Sequence, residues 1–320
     1  MAARGRRIAL MAASAALAVG ALAVAGCGSS SSSGSSGGSE LSGKIAIDGS
    51  STVGPLTSAA AEAFAADNSK VNITVGTSGT GGGFELFCKG ETDISDASRG
   101  IKDEEIAACK TGGIAYEEFR VASDGITVVT GSGADVGSDA LTLAQLKAIW
   151  EPKSTIKNWK DIPPAGTFKD ATLTLAGPDS QSGTYDFFNE TVIGKDAAGK
   201  AIASRQDYTA SADDNVTVRA VQSADAGLGY FGFSYFEENQ DTLKDFAIDG
   251  VKPSVATITD GSYPLSRPLF IYVKKTSLAK PEVAAFVKYY LENATTLAKD
   301  QQFVPAPQDA LDKGLAKLAS

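Results

Sequence analysis

The stretch KIAIDGSSTVGPLTSAAAEAFAADN, residues 44–68, sets a pattern that the rest of the chain repeats. Apolar alternation over residues 44–48 predicts a short strand, and apolar residues at helical spacing over residues 52–68 predict the helix that follows. Pro55 is tolerated in the first turn of that helix. Between strand and helix lies Gly49-Ser50-Ser51-Thr52, where hydroxyl and N–H groups converge and the helix dipole adds positive charge. Such a junction has the chemistry that holds a small oxyanion.

Similar Ser/Thr/Gly clusters follow other predicted strands, at residues 77–83, 96–100 and 179–184. Four glycines within residues 77–83 let the backbone approach a ligand closely, although this cluster is neither a Walker loop nor a dinucleotide fingerprint. In the next cluster the Ser98 hydroxyl adjoins Arg99, whose guanidinium suits bidentate oxyanion recognition. The alternative explanation is that these Ser and Thr residues only cap helices.

Strands alternate with helices along the remaining chain, and Thr142 with Gln145 predicts a capping box. This alternation indicates an α/β protein with largely parallel sheets, in which ligands bind at the carboxyl ends of strands. The further predicted strands are 71–75, 94–95, 114–116, 126–130, 172–176, 229–233 and 269–273, and the further predicted helices are 103–110, 142–150, 184–191, 213–222, 280–292 and 309–318.

The N-terminal residues predict export. Three arginines precede an apolar run over residues 8–25, which indicates a signal peptide over residues 1–26. Val24-Ala25-Gly26-Cys27 resembles a lipobox, so we expect cleavage before Cys27 and a lipid on that cysteine, with an unmodified Cys as the alternative. Residues 27–43 then form a Ser/Gly tether. The predicted location is the outer face of the cell membrane.

The composition excludes several classes of function. The chain has 29 basic and 38 acidic residues, a net charge of −9, and it becomes more acidic when the leader arginines are removed. An acidic surface argues against nucleic-acid binding and requires that any anion be held by local donors. The absence of histidine rules out Ser/His and Cys/His catalytic arrangements and argues against a zinc or haem site. We therefore predict no metal and no cofactor.

The chain has three cysteines, and Cys88 and Cys109 are the pair that remains after Cys27. In an exported protein such a pair predicts a disulfide, with two buried free thiols as the alternative. Closing a loop of about 20 residues stabilises the fold by roughly 3 kcal/mol in the chain-entropy model.

Long stretches of the chain resemble the phosphate-binding proteins of bacterial phosphate ABC transporters. Together they extend through nearly the whole chain after the tether. They are DGSSTVGPLT from Asp48, SGTGGGFELFCKGETDISDASR from Ser78, LTLAQLKAIWEP from Leu141, DSQSGTYDFF from Asp179, DYTASADDNV from Asp207, LGYFGFSYFEEN from Leu228 and DGSYPLSRPLFIYV from Asp260.

This resemblance implies a two-lobed type II periplasmic-binding fold with a ligand cleft between the α/β lobes. Lobe 1 would be discontinuous, formed by residues 44–123 plus 268–320, and lobe 2 would comprise residues 124–267. The crossings would lie near residues 123–127 and 262–268, and hinge closure would signal to the permease. The expected partners are inorganic phosphate, permease subunits and, through the lipid anchor, the membrane, with the protein itself a monomer.

The resemblance also implies which residues bind phosphate. Donors are expected from the first two loops, from the Ser-Arg pair and from the second-lobe loop. The predicted set is Ser50, Ser51, Thr52, Ser78, Thr80, Ser98, Arg99, Ser182, Gly183 and Thr184.

Two positions depart from the family pattern. Some members have an Arg where this chain has Pro178, and those members have an Asp, which accepts the phosphate proton, where Ser98 aligns. Arg99 is the predicted replacement cation. Asp96 and Ser98 are both candidates for the proton acceptor.

The predicted function is capture of phosphate outside the cytoplasm and its delivery to an ABC-type permease, without enzymatic activity. A receptor for another oxyanion, such as sulfate or molybdate, is the alternative within the same class. An exported phosphatase and a lipoprotein for adhesion or signalling are alternatives from other classes.

Overall fold

The stretch that sets the pattern forms a strand and a helix in the computed structural model, which describes residues 40–319. Strand β1 (Gly43–Gly49) leads through a short turn into helix α1 (Gly54–Asp67). Pro55 occupies the first turn of α1, where the missing N–H costs no helical hydrogen bond. The predicted signal peptide, Cys27 and the tether as far as residue 39 lie outside the described residues.

The remaining strands of the described residues follow in chain order. They are β2 (Val71–Val75), β3 (Ile94–Ala97), β4 (Tyr116–Gly131), β5 (Ala140–Leu141), β6 (Thr174–Gly177), β7 (Thr209–Ala210), β8 (Gly227–Gly232), β9 (Leu243–Asp245), β10 (Ala247–Ile248), β11 (Ser266–Lys274) and β12 (Val304–Pro305).

The remaining helices include a short α5 that continues directly into a π-helical turn, Asn189–Ile193, and a separate 3₁₀ turn, Trp159–Asp161. They are α2 (Thr80–Cys88), α3 (Asp103–Thr111), α4 (Leu143–Trp150), α5 (Gly183–Phe188), α6 (Asp214–Ser223), α7 (Phe233–Asn239), α8 (Val255–Asp260), α9 (Lys275–Leu278), α10 (Pro281–Asp300) and α11 (Gln308–Leu318).

Within residues 40–319, ten strands form one mixed sheet in the order β2-β1-β3-β11-β4-β8-β6-β7, with β9 and β12 both paired to β4. The outer pairs β1/β2, β1/β3, β6/β8 and β6/β7 are parallel. The central strands β4 and β11 are antiparallel to each other and to their other neighbours. The expectation of largely parallel sheets is therefore wrong at the centre, because the two long strands there run in opposite directions between the halves of the molecule.

Strands β4 and β11 connect the two largest hydrophobic cores of the described residues. On β4, Val121 belongs to one core and Val128 to the other. Leu269 of β11 and Leu265, just before that strand, are divided between the cores in the same way. The boundaries 44–123 plus 268–320 for lobe 1 and 124–267 for lobe 2 stay a prediction. The larger side chains of the first core include Phe64, Phe119, Phe286 and Tyr290, and those of the second include Trp150, Trp159, Phe188 and Tyr230.

Strand β4 is 16 residues long, whereas the sequence pattern predicted two separate strands over this region. The apolar pattern is interrupted by Ser123 and Asp124, which are nevertheless buried. Their polar atoms have partners: Arg120 Nη2 donates to Ser123 Oγ at 2.6 Å, and Arg267 donates to Asp124. The strand continues through the polar residues because side chains from the same strand and from β11 satisfy them.

The structure confirms two local predictions, the disulfide and the capping box. Cys88 at the end of α2 forms a disulfide with Cys109 of α3. The capping box of α4 has both bonds, with Gln145 N–H donating to Thr142 Oγ1 at 3.1 Å and Thr142 N–H donating to Gln145 Oε1 at 2.8 Å.

Candidate functional site

The turn between β1 and α1 is shaped by the Ser50 side chain. Ser50 Oγ accepts from the N–H groups of Thr52 at 3.2 Å and Val53 at 3.4 Å, and Ser50 N–H donates to the carbonyl of Asp96 at 2.9 Å. Ser50 and Thr52 are buried, while Ser51 is exposed. Capping therefore explains part of this cluster, but all three residues also line a cavity.

In the second loop, Ser78 and Thr80 have different surroundings. Ser78 donates to Asp48 Oδ1 from its N–H at 2.9 Å and from its hydroxyl at 2.6 Å, and Ser78 does not line the cavity. Gly79 has φ +87° and precedes α2, and Thr80 opens that helix on the cavity wall. Contrary to expectation, the Ser78 hydroxyl is engaged in fixing the loop to β1, and Thr80 is the residue of this loop that presents a hydroxyl to the cavity.

Thr80 and Ser98 lie side by side. Their hydroxyl oxygens are 3.2 Å apart, and Ser98 N–H donates to Thr80 Oγ1 at 3.2 Å. Both residues line the cavity. Two hydroxyls in contact can orient toward a common acceptor, so the second and third clusters act as one donor group.

Arg99 is on the cavity wall but already has an acidic partner. Its Nη1 and Nη2 donate to the two carboxylate oxygens of Glu105 at 2.8 and 2.7 Å. This pairing raises the pKa of Arg99, so the side chain remains a cation. Because Glu105 holds the bidentate face of the guanidinium, Arg99 contributes less net positive charge than its position in the sequence suggests.

Arg267 is the functional candidate that the sequence interpretation missed. It lies on β11 opposite Asp124 of β4, and its side chain is 11% exposed. Its Nη2 donates to Thr52 Oγ1 at 2.8 Å, and the guanidinium carbon lies 3.9 Å from the centre of the Phe187 ring. The sequence contains a signal for this residue. The predicted crossing at residues 123–127 has one charged residue, Asp124, and the crossing at residues 262–268 has one charged residue of opposite sign, Arg267.

The second-lobe loop meets the first loop beside Arg267. Ser182 Oγ accepts from Thr184 N–H at 3.2 Å, which caps α5, and the Gly183 carbonyl accepts from Arg267 Nη2 at 3.5 Å. A Cβ atom on Gly183 would lie 3.1 Å from Thr52 Oγ1. These three predicted residues are not part of the cavity lining, although Gly183 touches a residue that is.

The resulting cavity has a volume of about 600 Å³ and draws its walls from both halves of the molecule. Hydroxyl groups, glycine backbone and four basic side chains dominate the lining. The residues are Ser50, Ser51, Thr52, Gly79, Thr80, Gly81, Ser98, Arg99, Lys102, Asp186, Phe187, Glu190, Thr191, Lys195, Gly199, Ala201 and Arg267.

The two candidates for a proton acceptor are in different environments. Asp96 is fully buried beneath the first turn and does not line the cavity. Burial raises the pKa of Asp96 to about 8, an effect opposed by the nearby Thr57 hydroxyl and increased by Asp48. Ser98 does line the cavity, as does Asp186 on α5. The geometry therefore favours Ser98 over Asp96, and it adds Asp186 as a group that the sequence interpretation did not consider.

Residues 40–319 contain no group of three or more His, Cys, Asp and Glu side chains arranged to hold a metal ion. In the same residues, no helix combines the length and the apolar character needed to cross a membrane.

The chain is similar to a known protein family and to several of its members. Residues 34–294 match a family described as the PBP superfamily domain. The chain is 44% identical over 276 residues to the protein SphX of Synechococcus elongatus. This alignment covers 83% of this chain and 78% of that protein. It is 42% identical over 282 residues to the phosphate-binding protein PstS of Staphylococcus saprophyticus, covering 86% of this chain and 84% of the relative.

A solved structure is similar in fold as well as in sequence. The crystal structure of a possible phosphate-binding protein from Planctomyces limnophilus matches with a TM-score of 0.81 and 41% identity. The match covers 87% of this chain and 98% of the other.

Proposed function

The chain belongs to the PBP superfamily and, within it, to the family of the PstS and SphX proteins, and from this membership we propose that it binds inorganic phosphate outside the cytoplasm. It delivers the phosphate to an ABC-type permease for import. One observation carries the proposal: Arg267 and the hydroxyl groups of Ser51, Thr52, Thr80 and Ser98 line one cavity.

Phosphate capture follows from the chemistry of this donor set. A buried oxyanion needs a hydrogen-bond partner for each oxygen, because an unpaired charged oxygen is costly to remove from water. Hydroxyl and backbone N–H groups supply neutral donors, and the planar guanidinium of Arg267 supplies charge with a fixed direction. Since the chain as a whole carries a net charge of −9, the attraction for an anion comes from these local groups.

We infer that Arg267 is the principal cation of the phosphate site and that Arg99 assists it. The reason is that Arg267 contacts Thr52 of one loop and Gly183 of the opposite loop. Both arginines pair with a carboxylate, but Asp124 accepts from Nε and Nη2 of Arg267 and not from Nη1, whereas Glu105 accepts from both terminal nitrogens of Arg99. The remaining proposed donors are Ser50, Ser51, Thr52, Thr80, Ser98, Ser182, Gly183 and Thr184.

Calorimetric titration of the extensively dialysed protein with phosphate, sulfate and molybdate tests this function. We expect phosphate to bind most tightly. A preference for sulfate or molybdate would replace phosphate with that anion as the ligand, and no heat with any of the three would remove the receptor function altogether.

We propose that binding involves no covalent step. Hydrolysis of a phosphate ester requires an activated nucleophile or a metal-bound water, and the chain has no histidine to activate a hydroxyl. Incubation with 4-nitrophenyl phosphate, with and without Mg²⁺ or Zn²⁺, should release no nitrophenol above the rate in buffer. Release that depends on the protein would show an exported phosphatase.

We also propose that Cys27 carries a lipid and that residues 27–43 tether the binding unit to the outer face of the cell membrane. Residues 29–39 are only Ser and Gly, a composition typical of linkers. Expression of Cys27→Ser in a bacterial host should move the protein from the membrane fraction to the soluble extracytoplasmic fraction. Retention of the variant in the membrane would exclude the lipid as the anchor.

The lobe boundaries and hinge closure are part of the same proposal. Residues 123–127 and 262–268 would bend so that lobes 44–123 plus 268–320 and 124–267 approach each other around phosphate. Small-angle scattering should give a monomer whose radius of gyration decreases when phosphate is added. An unchanged radius would contradict closure, and a dimer mass would contradict the monomer.

A further inference from the structure

Residues 205–211 run alongside the end of β6, where the second-lobe loop begins at Pro178. Strand β7 pairs in parallel with the last two residues of β6, and Ser211 N–H donates to the carbonyl of Gly177 at 3.1 Å. Just before β7, the Tyr208 hydroxyl donates to the carbonyl of Pro178 at 2.7 Å. This contact ties the DYTASADDNV stretch of the sequence to the loop that leads to Ser182.

Arg205 holds this stretch in place. Its side chain is 3% exposed, and its Nη1 donates to the carbonyl of Ile149 at 3.1 Å. Nε and Nη2 donate to the two carboxylate oxygens of Asp207 at 2.6 and 2.8 Å, and the Arg205 backbone N–H donates to the carbonyl of Trp150 at 2.9 Å. A buried charge that left these partners would be costly, so the backbone before Tyr208 is held against the end of α4.

The Tyr208 hydroxyl is a permanent donor in a confined place. The Tyr208 ring packs edge-on against Trp150, with 5.1 Å between the ring centres. Burial, and to a smaller extent the nearby Tyr185, raises the pKa of Tyr208 to about 12, so the hydroxyl keeps its proton at neutral pH. Pro178 is itself buried, and little water can therefore replace this donor at its carbonyl.

Short contacts connect Pro178 to Ser182, which lies four residues later. Asp179 Oδ1 accepts from Gln181 N–H at 2.9 Å, and the Asp179 carbonyl accepts from Ser182 N–H at 3.1 Å. The proline ring restricts φ at the first residue of the loop. A displacement of Pro178 is therefore transmitted to Ser182 and to Gly183 at the start of α5.

We propose that Tyr208 is a positioning residue for phosphate binding, because its hydroxyl sets where the second-lobe loop presents its donors to the anion. The inference rests on the proposed phosphate function, in which Ser182, Gly183 and Thr184 are donors. The Gly183 carbonyl accepts from Arg267, so the position of the loop also affects the principal cation. Donors to a small anion must converge on it, and a small displacement of one group lowers the affinity. Tyr208 does not line the cavity, so it acts through the loop.

Titration calorimetry with inorganic phosphate tests this role in Tyr208→Phe, which keeps the ring and removes only the hydroxyl. We expect an affinity about three- to tenfold lower, as for the loss of one hydrogen bond. Tyr235→Phe is the matched control, because the hydroxyl of Tyr235 on α7 accepts from Asn215 Nδ2 at 2.9 Å and does not contact the loop. This variant should bind phosphate like the wild type. Thermal melting of both variants verifies that they are folded.

Double variants show whether Tyr208 acts through the second-lobe loop. Thr184→Val removes a proposed donor of that loop, whereas Thr80→Val removes one on the opposite wall. In the Tyr208→Phe background, Thr184→Val should cost less affinity than in the wild type, because the loop is already displaced. The effect of Thr80→Val should be the same in both backgrounds. Without phosphate, amide hydrogen exchange of residues 179–184 should be faster in Tyr208→Phe than in the wild type.

The outcomes separate the two proposals. The positioning role is overturned, and the receptor function stands, if Tyr208→Phe binds phosphate like the wild type. Unchanged exchange of residues 179–184, or equal coupling of Tyr208→Phe with Thr184→Val and Thr80→Val, would overturn it as well. If the wild-type protein binds no phosphate, the proposed function itself fails, and the role of Tyr208 in binding fails with it.

Discussion

Arg267 and Asp124 face each other across the two central strands, and the guanidinium donates to Asp124 Oδ2 from Nε at 3.1 Å and from Nη2 at 3.0 Å. Both side chains are largely buried, at 11% and 7% exposed. A buried pair of this kind holds its members in place, because either charge alone would be costly in that environment. The guanidinium is thereby fixed where β11 crosses between the cores, with Thr52 on one side and Gly183 on the other.

Replacing Arg267 by Ala should weaken phosphate binding by at least 10- to 100-fold, since charge-assisted hydrogen bonds contribute roughly 1.5–3 kcal/mol. Arg99→Ala is the comparison variant and should lose less affinity, because Glu105 accepts from both of its terminal nitrogens, whereas Asp124 leaves Nη1 of Arg267 unused. Titration calorimetry on both variants measures the difference. A larger loss for Arg99→Ala would make Arg99 the principal cation.

Thr52 in the first loop should serve phosphate binding, whereas Thr57 in helix α1 should serve the stability of the fold. Thr52→Val removes the hydroxyl that accepts from Arg267, so phosphate affinity should fall about two- to tenfold with little change in melting temperature. Thr57 is buried and its hydroxyl lies 3.1 Å from that of Tyr290. Thr57→Val should lower the melting temperature and leave the affinity nearly unchanged. The reverse pattern in melting and titration experiments would show that Thr52 serves the fold.

Asp96 should make the protein less stable as the pH rises. Its carboxyl keeps its proton in the folded protein up to a pKa of about 8, whereas in the unfolded chain the pKa has the ordinary aspartate value of 3.8. The unfolded state therefore gains stability between these values, and the free energy of unfolding falls by up to about 1.4 kcal/mol per pH unit. Asp96→Asn should flatten this slope in urea titrations between pH 4 and about pH 8.

Asp93, three residues before Asp96, is the control for this pH dependence. Asp93 is paired with Lys280 at 2.8 Å and with Ser277 at 2.6 Å, and these contacts lower its pKa despite partial burial. Its contribution is present at neutral pH and is lost as the pH falls. Asp93→Asn should thus destabilise the protein at pH 7, and a stabilising effect there would contradict the charge assignment.

Removing the disulfide should lower stability. Cys88 and Cys109 are separated by 21 positions, and the chain-entropy model gives roughly 3 kcal/mol for a loop of this size. The double variant Cys88→Ala, Cys109→Ala should melt several degrees lower than the wild type in scanning calorimetry. Equal melting temperatures would mean that the packing of α2 against α3 is sufficient without the covalent link.

The sequence predicts those parts of the fold that depend on neighbouring residues. The capping box of Thr142 and Gln145 and the α1 helix after its Pro55 both follow from local patterns. The convergence of Ser51, Thr80 and Arg99 on one cavity also follows, because their loops end adjacent strands. Their role in binding phosphate stays a prediction.

The parts that could not be predicted depend on pairing between distant segments. Arg267 acquires its position from the register of β11 against β4, and 143 positions separate it from Asp124. Ser78 has a donor side chain suited to a ligand, but Asp48, 30 positions earlier, accepts its hydroxyl. Pro178 also has a distant partner, since its carbonyl accepts from the Tyr208 hydroxyl at 2.7 Å. No local pattern identifies such partners.

The 16 continuous residues of β4 have a consequence for how the molecule unfolds. Because Val121 and Val128 of the same strand belong to different cores, melting one core would expose part of a strand on which the other depends. The two halves should therefore denature together, in a single calorimetric transition whose van 't Hoff and calorimetric enthalpies agree. Mechanical continuity along one strand makes a molecule with two cores behave thermodynamically as one cooperative unit.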